Sequence, residues 1–214
     1  MHARVMESPV LQARVVYTSV EAIRAWVEFW PDGGPRSYTP ISDFETEHSF
    51  TLLGLRHDVT YNYRVIVQTT GGSLALETHT FETPAAGGDL TPMAIDGDRA
   101  DGVGRLLFPL YHPENQITLL YVVDADGYLV WSYPIDGLVL SARPSRDGTG
   151  VWAQVTRVTE DATEDTSALE FVSFDGATRI TLSAPYTHHD FYEREDGSLV
   201  AIVSELREIG RAHV

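Results

Sequence analysis

The sequence contains neither cysteine nor lysine, and its 15 basic residues, all arginine, face 31 aspartates and glutamates. Without cysteine the chain can form no disulfide bond and no thiolate metal site. A net charge of −16 argues against nucleic-acid and anionic-membrane partners, because both bind basic surfaces. No apolar run approaches the length of a membrane-spanning helix, so membrane insertion is not expected either.

The segment 8–84 consists of short apolar or alternating runs separated by turn-forming residues. These runs predict strands at 13–20, 22–30, 48–55, 61–70 and 76–84. Antiparallel strands of this kind usually pack as two sheets around one core. The sequence therefore predicts an all-β domain, a β-sandwich, over 8–84.

One part of this segment resembles the fibronectin type III family. Leu55 lies six residues before Tyr61, as in the corner of that family's sandwich, and the closing segment 81–84 resembles its last strand. His57 and Asp58 stand where the family usually has Pro-Gly. The resemblance implies an Ig/fibronectin-III-like β-sandwich that presents or braces a neighbour, and we assign it no chemistry.

A linker rich in small residues is predicted at 85–92, and a repeat follows it. Asp-Gly pairs begin at residues 126, 147, 175 and 196, so that alternate pairs are 49 residues apart. A period of about 40–50 residues with four strands per unit is typical of a β-propeller blade. We therefore interpret 93–208 as about two and a half blades. The Asp196-Gly197 pair is expected to form a hairpin turn with positive φ at both residues.

This register assigns strands to each blade. The first blade has a short opening strand, then 104–110, 117–123 and 128–133; the second has 138–145, 151–158, 168–174 and 177–183; the third begins with 188–195 and 198–205. The acidic stretch 159–167 falls between two strands and is predicted to be a solvated loop.

His188 and His189 are the candidate site residues. They open the first strand of the third blade, whereas Val139 and Leu140 stand 49 residues earlier. The first strand of a blade conventionally lines the central channel, so a polar departure from an apolar register indicates a binding or catalytic site. The alternative is that both histidines merely end a strand and have no function.

The second half of the chain resembles the bacterial arylsulfate sulfotransferases. The resemblance rests on the segment 126–131, with its Asp-Gly pair and tryptophan, and on His188-His189-Asp190 followed by the Asp-Gly pair at 196. It implies transfer of a sulfuryl group from a phenolic sulfate ester to a phenol acceptor, with no cofactor, through a sulfated histidine in a later blade. On this resemblance His189 binds the sulfuryl group or transfers a proton, and His188 is the second choice for that role. A periplasmic or secreted location is also implied.

Other functions remain open at this stage. A metal site is disfavoured, because adjacent strand residues point to opposite faces and His188 would share its face only with Asp190. The chain could instead be a non-catalytic secreted module that binds carbohydrate or protein. It could also be another propeller enzyme, such as a lactonase or a quinoprotein-like oxidoreductase. A homodimer is left open.

The last six residues, 209–214, match the translation of a common sequencing-adapter string. We therefore expect them to be a non-native tail on a truncated propeller.

Overall fold

The computed structural model describes residues 2–7, 10–86, 104–157 and 166–204. Strands make up 64% of these residues and no helix occurs among them, so the predicted all-β class is confirmed. Within the same ranges, nothing qualifies as a helix of membrane-spanning length and hydropathy. The strands are β1 (His2–Met6), β2 (Gln12–Ile23), β3 (Ala25–Pro31), β4 (Ser37–Tyr38), β5 (Glu45–Leu52), β6 (Thr60–Thr69), β7 (Gly72–Ala75), β8 (His79–Glu82), β9 (Arg105–His112), β10 (Ile117–Asp124), β11 (Leu129–Asp136), β12 (Leu138–Pro144), β13 (Gly150–Thr156), β14 (Ala168–Ser173), β15 (Arg179–Ser183), β16 (Thr187–Glu193) and β17 (Leu199–Val203).

The chain divides into two compact units. The first comprises Met1–Leu106 and Val122–Ser132, and the second comprises Leu107–Tyr121 and Tyr133–Val214. The predicted linker lies mostly outside the described residues, as do the opening strand of the first repeat, most of the acidic stretch and the whole of the tail at 209–214.

The first unit contains two antiparallel sheets that share one hydrophobic core. One sheet has the order β1-β2-β5; the other has the order β4-β3-β6-β7, with β8 also paired to β6. Alternate residues of the strands are buried, for example Val15 and Phe50 in one sheet and Val27 and Val65 in the other. This period of two gives each strand one apolar face, and the two apolar faces form the core.

Tyr61 ties the loop before β6 to the core. Its ring is buried beside the fully buried Leu55, and its Oη accepts a hydrogen bond from the backbone N–H of Arg56 at 2.9 Å. The hydroxyl of Thr83 donates to the carbonyl of Arg56 at 2.7 Å. Asp58 adopts a φ of 54° at one of the two positions where the resembling family has Pro-Gly.

Two details of the first unit differ from the sequence prediction. The strands β1, β4 and β7 were not predicted, and the predicted strand 76–84 is present only as the shorter β8. Both β7 and β8 pair with β6, β7 along its second half and β8 along its first half. Between them the N–H of Leu76 still donates to the carbonyl of Val65 at 2.9 Å, and the pairing register shifts by one residue, so a bulge divides one edge of the sheet into two short strands.

The remaining strands form three further antiparallel sheets. Their orders are β11-β10-β9, β12-β13-β14-β15 and β16-β17. The predicted repeat agrees with these boundaries, because β16 spans residues that lie 49 positions after those of β12. The four strands expected in the second repeat, which the sequence predicts as the second blade, are present as the sheet β12-β13-β14-β15.

The Asp-Gly turns differ from the expected geometry. At Asp196-Gly197 only the glycine has a positive φ, of 80°, and its N–H donates to the carbonyl of Arg194 at 3.1 Å. The carboxylate of Asp196 accepts from the N–H of Ser198 at 2.9 Å. This is a three-residue loop in which a type I turn is followed by a left-handed glycine. Aspartate is favoured in this loop because its carboxylate accepts a hydrogen bond from the backbone N–H two residues later.

We predict that Tyr61→Phe destabilises the first unit by about 1–2 kcal/mol, because the N–H of Arg56 loses its acceptor. Urea unfolding of the purified chain would measure this change. Val20→Ala serves as the control, since Val20 is fully exposed and its removal should change stability by less than about 0.5 kcal/mol. Equal unfolding midpoints for Tyr61→Phe and the native chain would contradict the prediction.

Candidate functional site

The candidate site begins where the chain turns from β15 into β16. The carbonyl of Ala184 accepts two hydrogen bonds from Thr187, one from its N–H at 3.3 Å and one from its hydroxyl at 2.7 Å. Thr187 is buried, and Tyr186 before it has a φ of 63°. The turn therefore fixes the backbone on the N-terminal side of His188.

A bulge in β16 brings His188 and His189 together. His189 has a φ of 70°, in the left-handed region that non-glycine residues rarely adopt. The β16–β17 ladder is irregular between Thr187 and Phe191. The two imidazole rings consequently lie edge to face, with their centroids 4.8 Å apart and their planes at 88°. The expectation that these side chains point to opposite faces is wrong, because the bulge removes the alternation on which it rested.

The two rings differ in exposure. His189 is exposed, whereas His188 is half-buried, and its Nδ1 is inaccessible to solvent with no hydrogen-bond partner among the described residues. A neutral imidazole has one donor and one acceptor nitrogen, and a protonated ring has two donors. The pair can therefore donate to an anionic oxygen or exchange a proton with a bound group.

Asp190 is engaged in structural contacts. Its carboxylate accepts from the guanidinium of Arg143, with Nη2 at 2.8 and 3.0 Å and Nε at 3.2 Å from its oxygens. It also accepts from the hydroxyl of Ser141 at 3.3 Å and from the N–H of Phe191 at 2.8 Å. The hydrogen bonds from Arg143 are the main reason that the pKa of Asp190 is lowered. Asp190 braces β16 against β12.

The bulge is repeated, but the imidazoles are not. The ladder of β12 shifts between Val139 and Ser141, so Leu140 occupies the irregular position that His189 occupies one repeat later. Val139 is buried and Leu140 is exposed, which parallels the half-buried His188 and the exposed His189. Of the two strands in which the structure describes this position, only β16 combines the bulge with histidine side chains and with a positive φ. The histidines therefore stand in place of apolar residues at a bulge that β12 and β16 share.

Sequence reasoning missed two polar residues near the pair. Arg143 lies two residues after the repeat equivalent of Asp190, so the repeat places it on the same face of β12, but no local motif marks it. Gln154 is fully buried in β13 opposite Ser141, and neither atom of its amide has a hydrogen-bond partner among the described residues. Its buried amide has no signature in the sequence.

Two clefts lie elsewhere, and the histidine pair lines neither of them. One, of about 200 Å³, is in the second unit and is lined by Arg143, Trp152, Phe191 and neighbouring residues. The other, of about 290 Å³, is in the first unit, where Glu7 and His57 contribute polar atoms. Across the described ranges, no group of three or more histidine, aspartate or glutamate side chains could hold a metal ion.

No protein-family model matches the sequence, and no curated protein matches it.

The left-handed backbone at His189 leads to a prediction about stability. A β-branched side chain clashes with the backbone in this conformation, whereas glycine adopts it without strain. We expect His189→Val to be less stable than His189→Gly by about 1–2 kcal/mol in urea unfolding followed by near-UV circular dichroism.

The matched pair for this measurement is Leu140→Val and Leu140→Gly, at the equivalent position where φ is not positive. There the order should reverse, because valine tolerates a negative φ and glycine loses more conformational freedom on folding. A valine variant at 189 as stable as the glycine variant would contradict the left-handed conformation.

Proposed function

We propose that this chain is part of an arylsulfate sulfotransferase, which moves a sulfuryl group from a phenolic sulfate ester to a phenol acceptor. In this proposal His188 and His189 bind the sulfuryl oxygens and supply a proton to the leaving phenolate. The observation that carries the proposal is the contact between the two imidazole rings at 4.8 Å, at two positions that the preceding repeat fills with Val139 and Leu140.

The chemistry of sulfate esters fits this pair. A sulfuryl group presents anionic oxygens, and its transfer leaves negative charge on a phenolate oxygen. Two adjacent imidazoles can donate hydrogen bonds to the first and protonate the second. His189 is exposed to an incoming ester, while the half-buried His188 is held against the protein. The attacking histidine of the resembling family lies in a later blade, so we propose that the pair binds and assists rather than attacks.

The proposed architecture is a fibronectin-III-like β-sandwich followed by propeller blades. For the sandwich, the support is the shared core of two antiparallel sheets and the hydrogen bond from Arg56 N–H to Tyr61 Oη, which is the contact of a tyrosine corner. For the blades, the support is that β12 and β16, equivalent strands of successive repeats, contact each other. Ser141 and Asp190, which are hydrogen-bonded, are 49 residues apart. Successive propeller blades contact each other through such equivalent positions.

Binding of phenyl sulfate to the purified chain tests the proposed function directly. Nuclear magnetic resonance of the imidazole groups should show His188 and His189 shifting together as the ester is added. The other histidines should not shift, and no phenol should be released, because the nucleophile is assigned elsewhere. Unchanged imidazole signals would refute binding at the pair, and release of phenol would refute the placement of the nucleophile.

Substitution of the histidines in an active sulfotransferase that contains this sequence tests their catalytic role. Removing one preorganised donor typically lowers turnover about 100- to 1000-fold. The alternation argument predicted a large loss for His189→Ala and a smaller loss for His188→Ala. Because the rings are in contact, we now expect comparable losses for the two variants. Full turnover of phenyl sulfate in both variants would remove these residues from the mechanism.

A further inference from the structure

The backbone that unites the two imidazoles is strained and must be held from both sides. Non-glycine residues in the left-handed region are strained and persist only where the surroundings impose them. Tyr186 and His189 both adopt this region, three residues apart. The contacts that flank them therefore determine whether the rings stay together.

On the N-terminal side, contacts within the third repeat hold the backbone. Thr187 is buried and bonded twice to the carbonyl of Ala184, and the N–H of Ser204 donates to the carbonyl of Tyr186 at 2.8 Å. These contacts involve only residues of the turn and of the segment that follows β17. They fix the start of β16 but leave the residue after His189 unconstrained.

On the C-terminal side, the constraint comes from the preceding repeat. Asp190 follows His189 directly, and its carboxylate lies in the fork of the Arg143 guanidinium. Beyond it Phe191 is almost completely buried, and the ladder with β17 resumes. Anchoring Asp190 to β12 therefore sets where the backbone re-enters the regular strand, and with it the conformation of His189.

We infer that Arg143 is a positioning residue for the His188–His189 pair, an inference whose catalytic meaning rests on the function proposed above. Arg143 reaches neither ring in any contact of the structure, so it acts through Asp190. The side chains of the Arg143–Asp190 ion pair are each about half exposed, and solvent screening therefore makes their Coulombic attraction weak. The planar fork matters more, because two parallel N–H groups orient a carboxylate in a way that a single ammonium group does not.

The same interface provides a matched control. Arg146 also joins the second repeat to β16, since its N–H donates to the carboxylate of Glu193 at 2.9 Å and its guanidinium donates to Tyr192 Oη at 3.3 Å. These contacts lie beyond Phe191, on the far side of the bulge from the histidines. Arg146→Ala therefore removes an inter-repeat arginine side chain without touching the anchor of Asp190.

The experiment measures the contact between the rings in the full chain. In the native chain, magnetisation transfer between the ring protons of His188 and His189 should be strong at 4.8 Å. Arg143→Ala should abolish it and raise the dissociation constant of phenyl sulfate about tenfold, as expected if the binding-competent arrangement falls to about a tenth of the population. Arg143→Lys, which keeps the charge but loses the fork, should recover only part of the ring contact.

The outcomes separate this inference from the proposed function. An intact ring contact in Arg143→Ala would overturn it, as would an equal loss in Arg146→Ala, which would mean that general packing of the repeats holds the pair. If Arg143→Ala alone loses the ring contact while even the native chain fails to bind phenyl sulfate, the positioning role stands and the proposed function fails. Unchanged backbone signals from β13 and β14 would establish that each variant is folded.

Discussion

The carboxylate of Asp190 joins the β16–β17 hairpin to β12 of the four-stranded sheet, and the geometry of the candidate site depends on this link. It accepts hydrogen bonds from Arg143 and Ser141 of one repeat and from the backbone of its own strand. Because the pKa of Asp190 is lowered in the fold, chiefly by Arg143, ionisation stabilises the folded state above the ordinary value of 3.8. This contribution is lost as the pH falls through the lowered folded-state pKa. At neutral pH the link is therefore fully formed.

The repeat explains why such a link occurs where it does. In each of the turns at 147, 175 and 196 the aspartate side chain accepts from the N–H two residues later, and the following glycine adopts a positive φ. Because these turns are alike, the second strand of each hairpin begins at the same position relative to its turn. Equivalent strands such as β12 and β16 then bring equivalent positions together, and Ser141 contacts Asp190 for this reason. The turn chemistry thus keeps equivalent strands in the same register, and the packing of the two sheets then brings Ser141 against Asp190.

Much of the fold could be predicted from the sequence, because period-two alternation and Asp-Gly pairs are local signals. The boundaries of β12 and β16 are of this kind. The strand β1 was not predicted, since its stability comes from pairing with β2 more than from its own short sequence.

The histidines could be identified from their break with the repeat, but their geometry could not. A left-handed residue is usually marked by glycine, and histidine adopts this conformation too rarely for His189 to predict it from the sequence. The bulge in β12 at Leu140 is equally invisible in the sequence, yet it shows that the backbone irregularity belongs to the repeat. The contact of Arg143 with Asp190 spans 47 residues and depends on the packing of two sheets. Long-range packing therefore determines the feature that matters most for the site.

All basic residues of the chain are arginines, and four of them pair with carboxylates that the fold buries. Glu28 is almost completely buried and bonds to Arg64 and Arg36; although burial alone would raise its pKa, the hydrogen bonds from these arginines and from Tyr38 lower it.

Glu170 is buried in the second unit and bonds to Arg157 and Arg179 in the same manner. A buried carboxylate that loses a partner is typically destabilising by about 3–5 kcal/mol, because an uncompensated charge remains. Guanidinium groups suit this task, since each supplies several donors in a fixed plane and stays charged when partly buried. In a chain of net charge −16 the arginines thus neutralise carboxylates inside each unit. Arg143 extends the same chemistry to the contact between repeats, where it orients a carboxylate beside the candidate site.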